Sequence, residues 1–544
     1  MQMNVADYWL EHLNDKIFCK KIAVVDNATA TSFDMLFNRA GELGEWLIKN
    51  ISDVGKPIAV FLPKSAELIA ADMAIIYSGN AYMNLDIKQP AKRTEIIINH
   101  IQPTFILTYS EFEKSFSELS LSDVRIIYLD KLKLSGYDVE VVKNRLAEVI
   151  DTDPLCIVNT SGSTGIPKGV VMNHRSVIDF IDNATDVLSL SDSEVIGSLS
   201  PTYFDIFTLE FYLMLWKGYK FVIIPENLAA FPERLVECLE DNEVDFIFWV
   251  PTVMVNIANL DILSTHKLPT LKKILFAGEV FPQKHLAYWF EHLPSATFIN
   301  MYGPIEITVD CLYHVVTEQD IKEQVLPIGK TFPNTRIYIL NEENQECAVN
   351  EQGELCISGT SLAMGYYNDS EKTSKAFVQN PLNDKYIDII YRTGDIVYRR
   401  DDGNIMFVGR KDFQIKHLGY RIELGEIENI ALSLPFIENA CVLYDKETKQ
   451  IILVYESADD LKIADIRIAI GKILPKYMLP TRYEKVDEMP RNSNGKIDRQ
   501  TLKIAFTNPG GGYLNNFLII IALLAIEIIF CKRMQFSCCQ EVSA

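Results

Sequence analysis

The sequence predicts an α/β protein: a large N-terminal domain of α/β subdomains plus a β-rich subdomain, followed by a small C-terminal α+β domain. Three observations predict it. Short apolar runs alternate with amphipathic stretches of helical length up to about residue 325, the pattern of strands joined by helical crossovers in largely parallel sheets. Beyond that point the runs become β-rich. The chain has 544 residues, whereas single cores stop growing at roughly 250–300 residues, so more than one domain is required.

The elements follow in order. PIAVFLP (57–63) reads as a buried strand, an unbroken apolar run bounded by prolines, and SAELIAADMAIIYSG (65–79) as a helix ending near Gly79. The strand signal recurs in TFILT (104–108), RIIYLD (125–130), CIVNT (156–160), KFVIIP (220–225), FIFWVP (246–251) and KILFAG (273–278). No fixed-period repeat is visible, which sets aside solenoids and propellers. RIYILN (336–341), GELCISG (353–359), IVYRRDDGNIMFVGR (396–410) and FQIKHLGYRIE (413–423) form the β-rich part, with a hairpin turn at Asp401-Asp402-Gly403. GEIENIALSL (425–434), ACVLYD (440–445), QIILVYE (450–456) and ADIRIAIGKIL (464–474) return to mixed helix and strand. The domain boundary is placed near Asp412, giving 1–411 and 412–506.

Composition narrows the function. With 52 Lys+Arg against 73 Asp+Glu the net charge is −21, too little positive charge to displace phosphate counterions, so nucleic acid is not expected as a partner. Hydrophobic residues at 48% exclude a largely disordered chain. Seven of the ten cysteines are scattered singly between Cys19 and Cys441, without a CxxC pair; they read as buried, reduced thiols. MQMNVADYWLEHLNDKIF has no basic start or apolar core, so a cytoplasmic location is expected. After a linker (507–512) comes a hydrophobic segment, 513–531, and a tail, 532–544. Its apolar centre, 517–531, is fifteen residues long, or ~22 Å as a helix against ~30 Å of hydrocarbon. A membrane anchor, an interfacial helix and a non-native extension all remain open, and Lys532 and Arg533 fit the anchor poorly.

The strongest chemical signal is NTSGSTGIPKGV (159–170), directly after the strand CIVNT. Gly162 and Gly165 permit backbone that a Cβ would forbid, Thr160, Ser161, Ser163 and Thr164 bring hydroxyls, and Lys168 brings a mobile cation. Such a loop offers many donors to polyphosphate oxygens. It is not a Walker A loop, because Lys168 is followed by Gly169. A Ser/Gly-rich turn is the plain alternative.

The loop resembles that of the adenylate-forming superfamily, which includes acyl-CoA ligases, luciferases and adenylation domains of nonribosomal peptide synthetases. FAGE (276–279), NMYGPIEIT (300–308), YRTGD (391–395), GRKDFQIKHLGYRIELGEIE (409–428) and PRNSNGKIDR (490–499) follow in that family's order, and 62–93 resembles its first two core motifs. The match covers about 1–506. It implies ATP and Mg²⁺ as cofactors, with a nucleotide site formed by the glycine loop, Gly278, Glu279, Asn300, Met301, Tyr302, Gly303, Pro304, Ile305, Asp395 and Arg410. Tyr302 before Gly303-Pro304 gives a flat face suited to a purine, and Glu306 directs a carboxylate to the phosphates, where Mg²⁺ is its natural partner. Ile305 stands where the family usually has Thr and removes one hydroxyl. Asp395 is suited to accept from ribose hydroxyls; alone, Asp395 and Arg410 would read as a surface ion pair.

The resemblance makes Lys496 the catalytic lysine, a mobile cation offsetting repulsion when one anion attacks another. Asp412 matches the hinge about which the small domain turns, presenting Lys496 in one pose and the strand around Gly419 to a thiol in the other. Asp205, after Phe204, is the position where amino-acid-activating members hold the substrate ammonium; a helix N-cap is the alternative. Ile206, Leu209, Thr252, Leu275, Ala277, Met301, Val309 and Asp310 line the side-chain pocket by motif register. Most are apolar, which implies a small or medium neutral side chain, with Asp310 either rim or specificity group. The order resembles stand-alone D-alanine–D-alanyl carrier protein ligases, but Ala277 stands where those usually have Cys. No carrier motif follows Lys496. The expectation is a free-standing enzyme that activates an amino acid and passes it to a separate phosphopantetheinyl carrier protein, as in nonribosomal peptide synthesis. An acyl- or aryl-CoA ligase and a catalytically idle nucleotide-binding relative are the alternatives.

Overall fold

The computed structural model describes residues 4–27, 29–121, 124–162, 166–189, 194–323, 326–411, 414–457, 459, 461–491 and 497–507. The chain forms two compact units, one running to Ile422 and one starting at Glu423.

The first unit contains two α/β sheets. In one, Pro57–Phe61 lies between Ala81–Asn84 and Phe105–Thr108, with Pro154–Thr160 beyond Ala81–Asn84, all parallel. Lys168–Asn173 and Gly365–Tyr366 extend it antiparallel. In the nine-stranded sheet, five central strands run parallel to Ile22–Asp26, and antiparallel strands close both ends. The expected strands are present, and Pro57–Phe61 is buried throughout, as a strand covered by helices on each side must be, whereas the edge strand Arg125–Tyr128 is exposed to half-buried.

Helix Ala66–Tyr77 is capped by Ser65, whose Oγ accepts from Leu68 N at 3.2 Å. It is buried on nearly every side from Leu68 to Tyr77, which marks a core helix. Helix Ile206–Lys217 is likewise buried along almost its whole length, and Gly218 ends it with φ of 69°. Both belong to one continuous apolar cluster. Each fully buried Leu, Ile or Phe contributes roughly 1.5–3 kcal/mol of transfer free energy, so the N-terminus of the second helix is held by its own packing.

A five-stranded antiparallel sheet forms the β-rich subdomain. The predicted hairpin joins Ile389–Arg399 to Ile405–Arg410, with Gly403 N donating to the Arg400 carbonyl at 2.9 Å. Strands Gln414–His417 and Tyr420–Glu423 form a further pair. Through Ile422 these residues belong to the first unit, which therefore continues past the expected boundary near Asp412. The physical reason is their bonding: Gly419 N donates to Glu279, and Arg421 to Glu306. Asp412 itself lies outside the described residues.

In the second unit, strands Asn439–Asp445, Gln450–Glu456 and Arg482–Val486 form one sheet, accompanied by helices Leu424–Leu432, Ile463–Gly471 and Arg499–Thr507. Lys496 and the segment 513–531 lie outside the described residues. Among the described residues no helix is long and apolar enough to cross a membrane. Five of the expected thiols (Cys19, Cys156, Cys311, Cys356 and Cys441) are buried and unbridged, while Cys238 and Cys347 are only half-buried.

Candidate active site

The parallel strand Pro154–Thr160 delivers the glycine loop. Thr160 pairs with Lys168 across the antiparallel turn, and Ser161 Oγ donates to the Arg421 carbonyl at 2.7 Å. A Cβ on Gly162 would lie 1.9 Å from the Ile166 carbonyl oxygen, so only glycine allows the chain to fold back there. Ser163, Thr164 and Gly165 lie outside the described residues. Lys168 places its ammonium 5.5 Å from the centre of the Tyr366 ring.

The strand Thr297–Tyr302 brings in Asn300, Met301 and Tyr302. Asn300 is buried and donates to the Pro327 carbonyl at 2.7 Å. Tyr302 packs into the core of the β-rich subdomain and donates its hydroxyl to Asp395. A Cβ on Gly303 would meet the Asp310 Cα at 2.4 Å, so the turn closes only on glycine. Pro304 then precedes a short 3₁₀ turn, Ile305–Ile307, which buries both Ile305 and Glu306.

Two carboxylates here are fully engaged. Glu306 accepts from Arg421 Nη1 at 2.7 Å and from the Tyr366 hydroxyl at 2.9 Å. Burial alone would raise its carboxyl, but the Arg421 guanidinium overrides burial and holds it at about 2. Asp395 accepts from Tyr302 and, at 2.6 Å, from Arg410 Nη1, its partner across the strand pair. Both side chains are largely buried, so this is an interior pair, unlike the surface pair that either residue alone would suggest.

Two others are not. Asp205 caps helix Ile206–Lys217 by accepting from Ile206 N at 3.0 Å. The cap is real, and burial raises the carboxyl to about 6 against the opposing pull of the Ile206 N–H, Lys416 and Arg421. Asp310 is 3% exposed, and its Oδ2 has no hydrogen-bond partner. Ile206, Leu209, Leu275, Ala277, Met301 and Val309 are all buried in one continuous apolar cluster. Thr252 binds Glu279, donating from its N–H at 3.1 Å and from its hydroxyl. Gly278 has φ of 90°, and Glu279 also receives Gly419 N at 2.9 Å.

Sequence reasoning gave no role to Arg421, Lys416 or Tyr366. Arg421 and Lys416 lie inside the 409–428 motif, on two strands of a hairpin, and their cationic character is the available signal. Nothing local marks Tyr366, which reaches Glu306 across 60 residues. Beside the site, a cavity of about 320 Å³ opens among Leu62–Lys64, Leu85–Lys88, Thr202–Tyr203 and Ile223–Asn227. It lies at the C-terminal ends of parallel strands, the usual place for ligands in such sheets. Tyr203 and Phe204 continue from it towards Tyr420, with ring centres 5.2 and 5.1 Å apart.

The paired sheets, the β-rich subdomain and the glycine loop together have the adenylate-forming architecture. The chain belongs to the AMP-binding enzyme family: that family model matches residues 14–367, and the model for the AMP-binding enzyme C-terminal domain matches 426–496. Zwittermicin A synthase ZmaJ of Bacillus cereus is 30% identical over 89% of this chain and 92% of its own. An L-proline--[L-prolyl-carrier protein] ligase of Pseudomonas fluorescens is 30% identical over 89% and 96%. Against tyrocidine synthase 1 of Brevibacillus parabrevis, 31% identical, the match spans 44% of that longer protein. Among solved structures, the Vibrio cholerae adenylation domain AlmE superposes with a TM-score of 0.79 at 20% identity over 93% of this chain and 98% of its own. PA1221, an NRPS protein containing adenylation and PCP domains, gives 0.76 at 24% over 93% and 98%. At these identities the superpositions speak for the fold alone.

Proposed function

We propose that this protein activates an amino acid as its aminoacyl-adenylate and transfers it to the phosphopantetheine thiol of a separate carrier protein. The observation that carries the reading is Asp205, a carboxylate at a helix N-terminus that accepts from the Ile206 N–H and is raised by burial. An α-ammonium is the ligand that compensates such a group. Similarity to the L-proline--[L-prolyl-carrier protein] ligase supports the same class of reaction.

The chemistry has two steps. A substrate carboxylate oxygen attacks the α-phosphorus of ATP; the new O–P bond forms as the bond to the bridging oxygen breaks, and pyrophosphate leaves with the electron pair. The carrier thiol then attacks the acyl carbon, the C–O bond to AMP breaks, and the thiol proton passes to solvent. Lys496 offsets the repulsion between anions in the first step. Arg410 orients Asp395 for the ribose hydroxyls, and the backbone and hydroxyls around Gly162 receive the phosphates. Both Glu306 oxygens already accept, from Arg421 and Tyr366, so Glu306 would hold Mg²⁺ only with Arg421 displaced; the ion would neutralise phosphate charge.

Lys496→Ala tests the assignment. ATP–pyrophosphate exchange is expected to fall by at least about 10²-fold, the scale of one lost electrostatic stabiliser, while ATP affinity measured by calorimetry stays within a few-fold. Undiminished exchange would remove Lys496 from the reaction.

A further inference from the structure

The apolar wall that suggests a neutral side chain is interrupted by Asp310. This residue follows two β-branched residues in left-handed backbone, Thr308 with φ of 60° and Val309 with φ of 67°, a conformation that β-branched residues rarely adopt. Its Cα lies where a side chain on Gly303 would have to be. The backbone is therefore bent to bring a carboxylate inwards, and that carboxylate is almost wholly buried with Oδ2 unpartnered.

Charge accounting over Asp205, Glu306, Asp310 and Asp395 points to the same position. Glu306 is neutralised by Arg421, and Asp395 by Arg410. Asp205 and Asp310 remain, close enough that the charge of Asp205 raises the Asp310 carboxyl further than burial already does. Lys416 faces both and opposes both shifts. Its ammonium also lies 5.8 Å from the Tyr302 ring centre. Two carboxylates thus share one ammonium. A zwitterion with a neutral side chain adds no net charge to this group and leaves Asp310 either protonated or a buried carboxylate without a cation of its own. A second substrate ammonium balances it.

Resting on the amino-acid reading above, we propose that Asp310 binds a side-chain ammonium and that the substrate is a diamino acid. Its methylene stem lies along Leu209, Leu275, Ala277 and Met301, as buried stems of charged side chains do. Asp205 takes the α-ammonium and Asp310 the terminal one.

The full-length chain is assayed by ATP–pyrophosphate exchange with 2,4-diaminobutyrate, ornithine and lysine against norvaline, norleucine and glutamate, plus aryl and fatty acids. A diamino acid is expected to exceed its neutral isostere by about 10²-fold or more in kcat/KM, the scale for a site built around a substrate polar group. Asp310→Asn, which keeps the shape, should reduce that ratio at least tenfold, with ATP binding by calorimetry confirming that the variant is folded. If it does not fold, the wild-type ranking alone decides. A preference for neutral or acidic amino acids, or a ratio unmoved in Asp310→Asn, overturns the diamino assignment and leaves amino-acid activation standing. Exchange with aryl or fatty acids only overturns both.

Discussion

The nucleotide side and the amino-acid side of the proposed site treat carboxylates in opposite ways. Glu306 and Asp395 are each gripped by an arginine and a tyrosine hydroxyl. Asp205 is held only by a helix N–H, and Asp310 has a bare buried oxygen. The first arrangement keeps carboxylates ionised and fixed, as a scaffold for phosphate and ribose requires. The second leaves charge to be completed from outside, which is what recognition of an amine requires. The contrast separates groups that hold the site together from groups that wait for substrate.

Removing a grip should have the largest effect. Arg421→Ala leaves Glu306 buried without its cation and should cost about 3–5 kcal/mol, read as a fall in denaturant midpoint at pH 7. The double change Arg421→Met with Glu306→Gln should recover much of that loss. The same pair sets an acid dependence. Because Glu306 is held at about 2, below the ordinary 4.5, the pairing stabilises fully above pH 4.5 and is lost as pH falls towards 2. In Arg421→Ala burial raises the carboxyl instead, so this part of the acid sensitivity should vanish. If wild type and variant lose stability in parallel between pH 5 and 2, the pair does not act as described.

The substrate side should respond to pH in the opposite sense and more weakly. Asp205 is raised to about 6 from 3.8, so its ionisation costs stability as pH rises through that window. Amine binding needs the ionised form. The KM for the amino acid should therefore rise by about tenfold per pH unit below 6, and Asp205→Asn should flatten the profile. A KM that is level between pH 5 and 7 would place the titrating group elsewhere.

Much of this was legible in the sequence. PIAVFLP and FIFWVP appear as strands because unbroken apolar runs between turn residues have few other uses. Thr160, Ser161, Gly162 and Lys168 cluster because they are adjacent in the chain, and Asp395 faces Arg410 because one hairpin aligns them. What the sequence did not disclose is long-range pairing. Glu306 and Arg421 are 115 residues apart, and no local periodicity links them. Register places Thr252 at the pocket without naming its partner, which depends on the neighbouring loop, here Glu279. The placement of the boundary near Asp412 likewise could not foresee that the 414–422 hairpin would bond to the first unit.

The most direct test of amine recognition compares pyrophosphate exchange for one amino acid and its deaminated acid in wild type and Asp205→Ala. Wild type should favour the amino acid by about 10²-fold or more, and the variant should lose that preference while still responding to ATP. An equal response to both acids in wild type, or an intact preference in Asp205→Ala, would contradict the account.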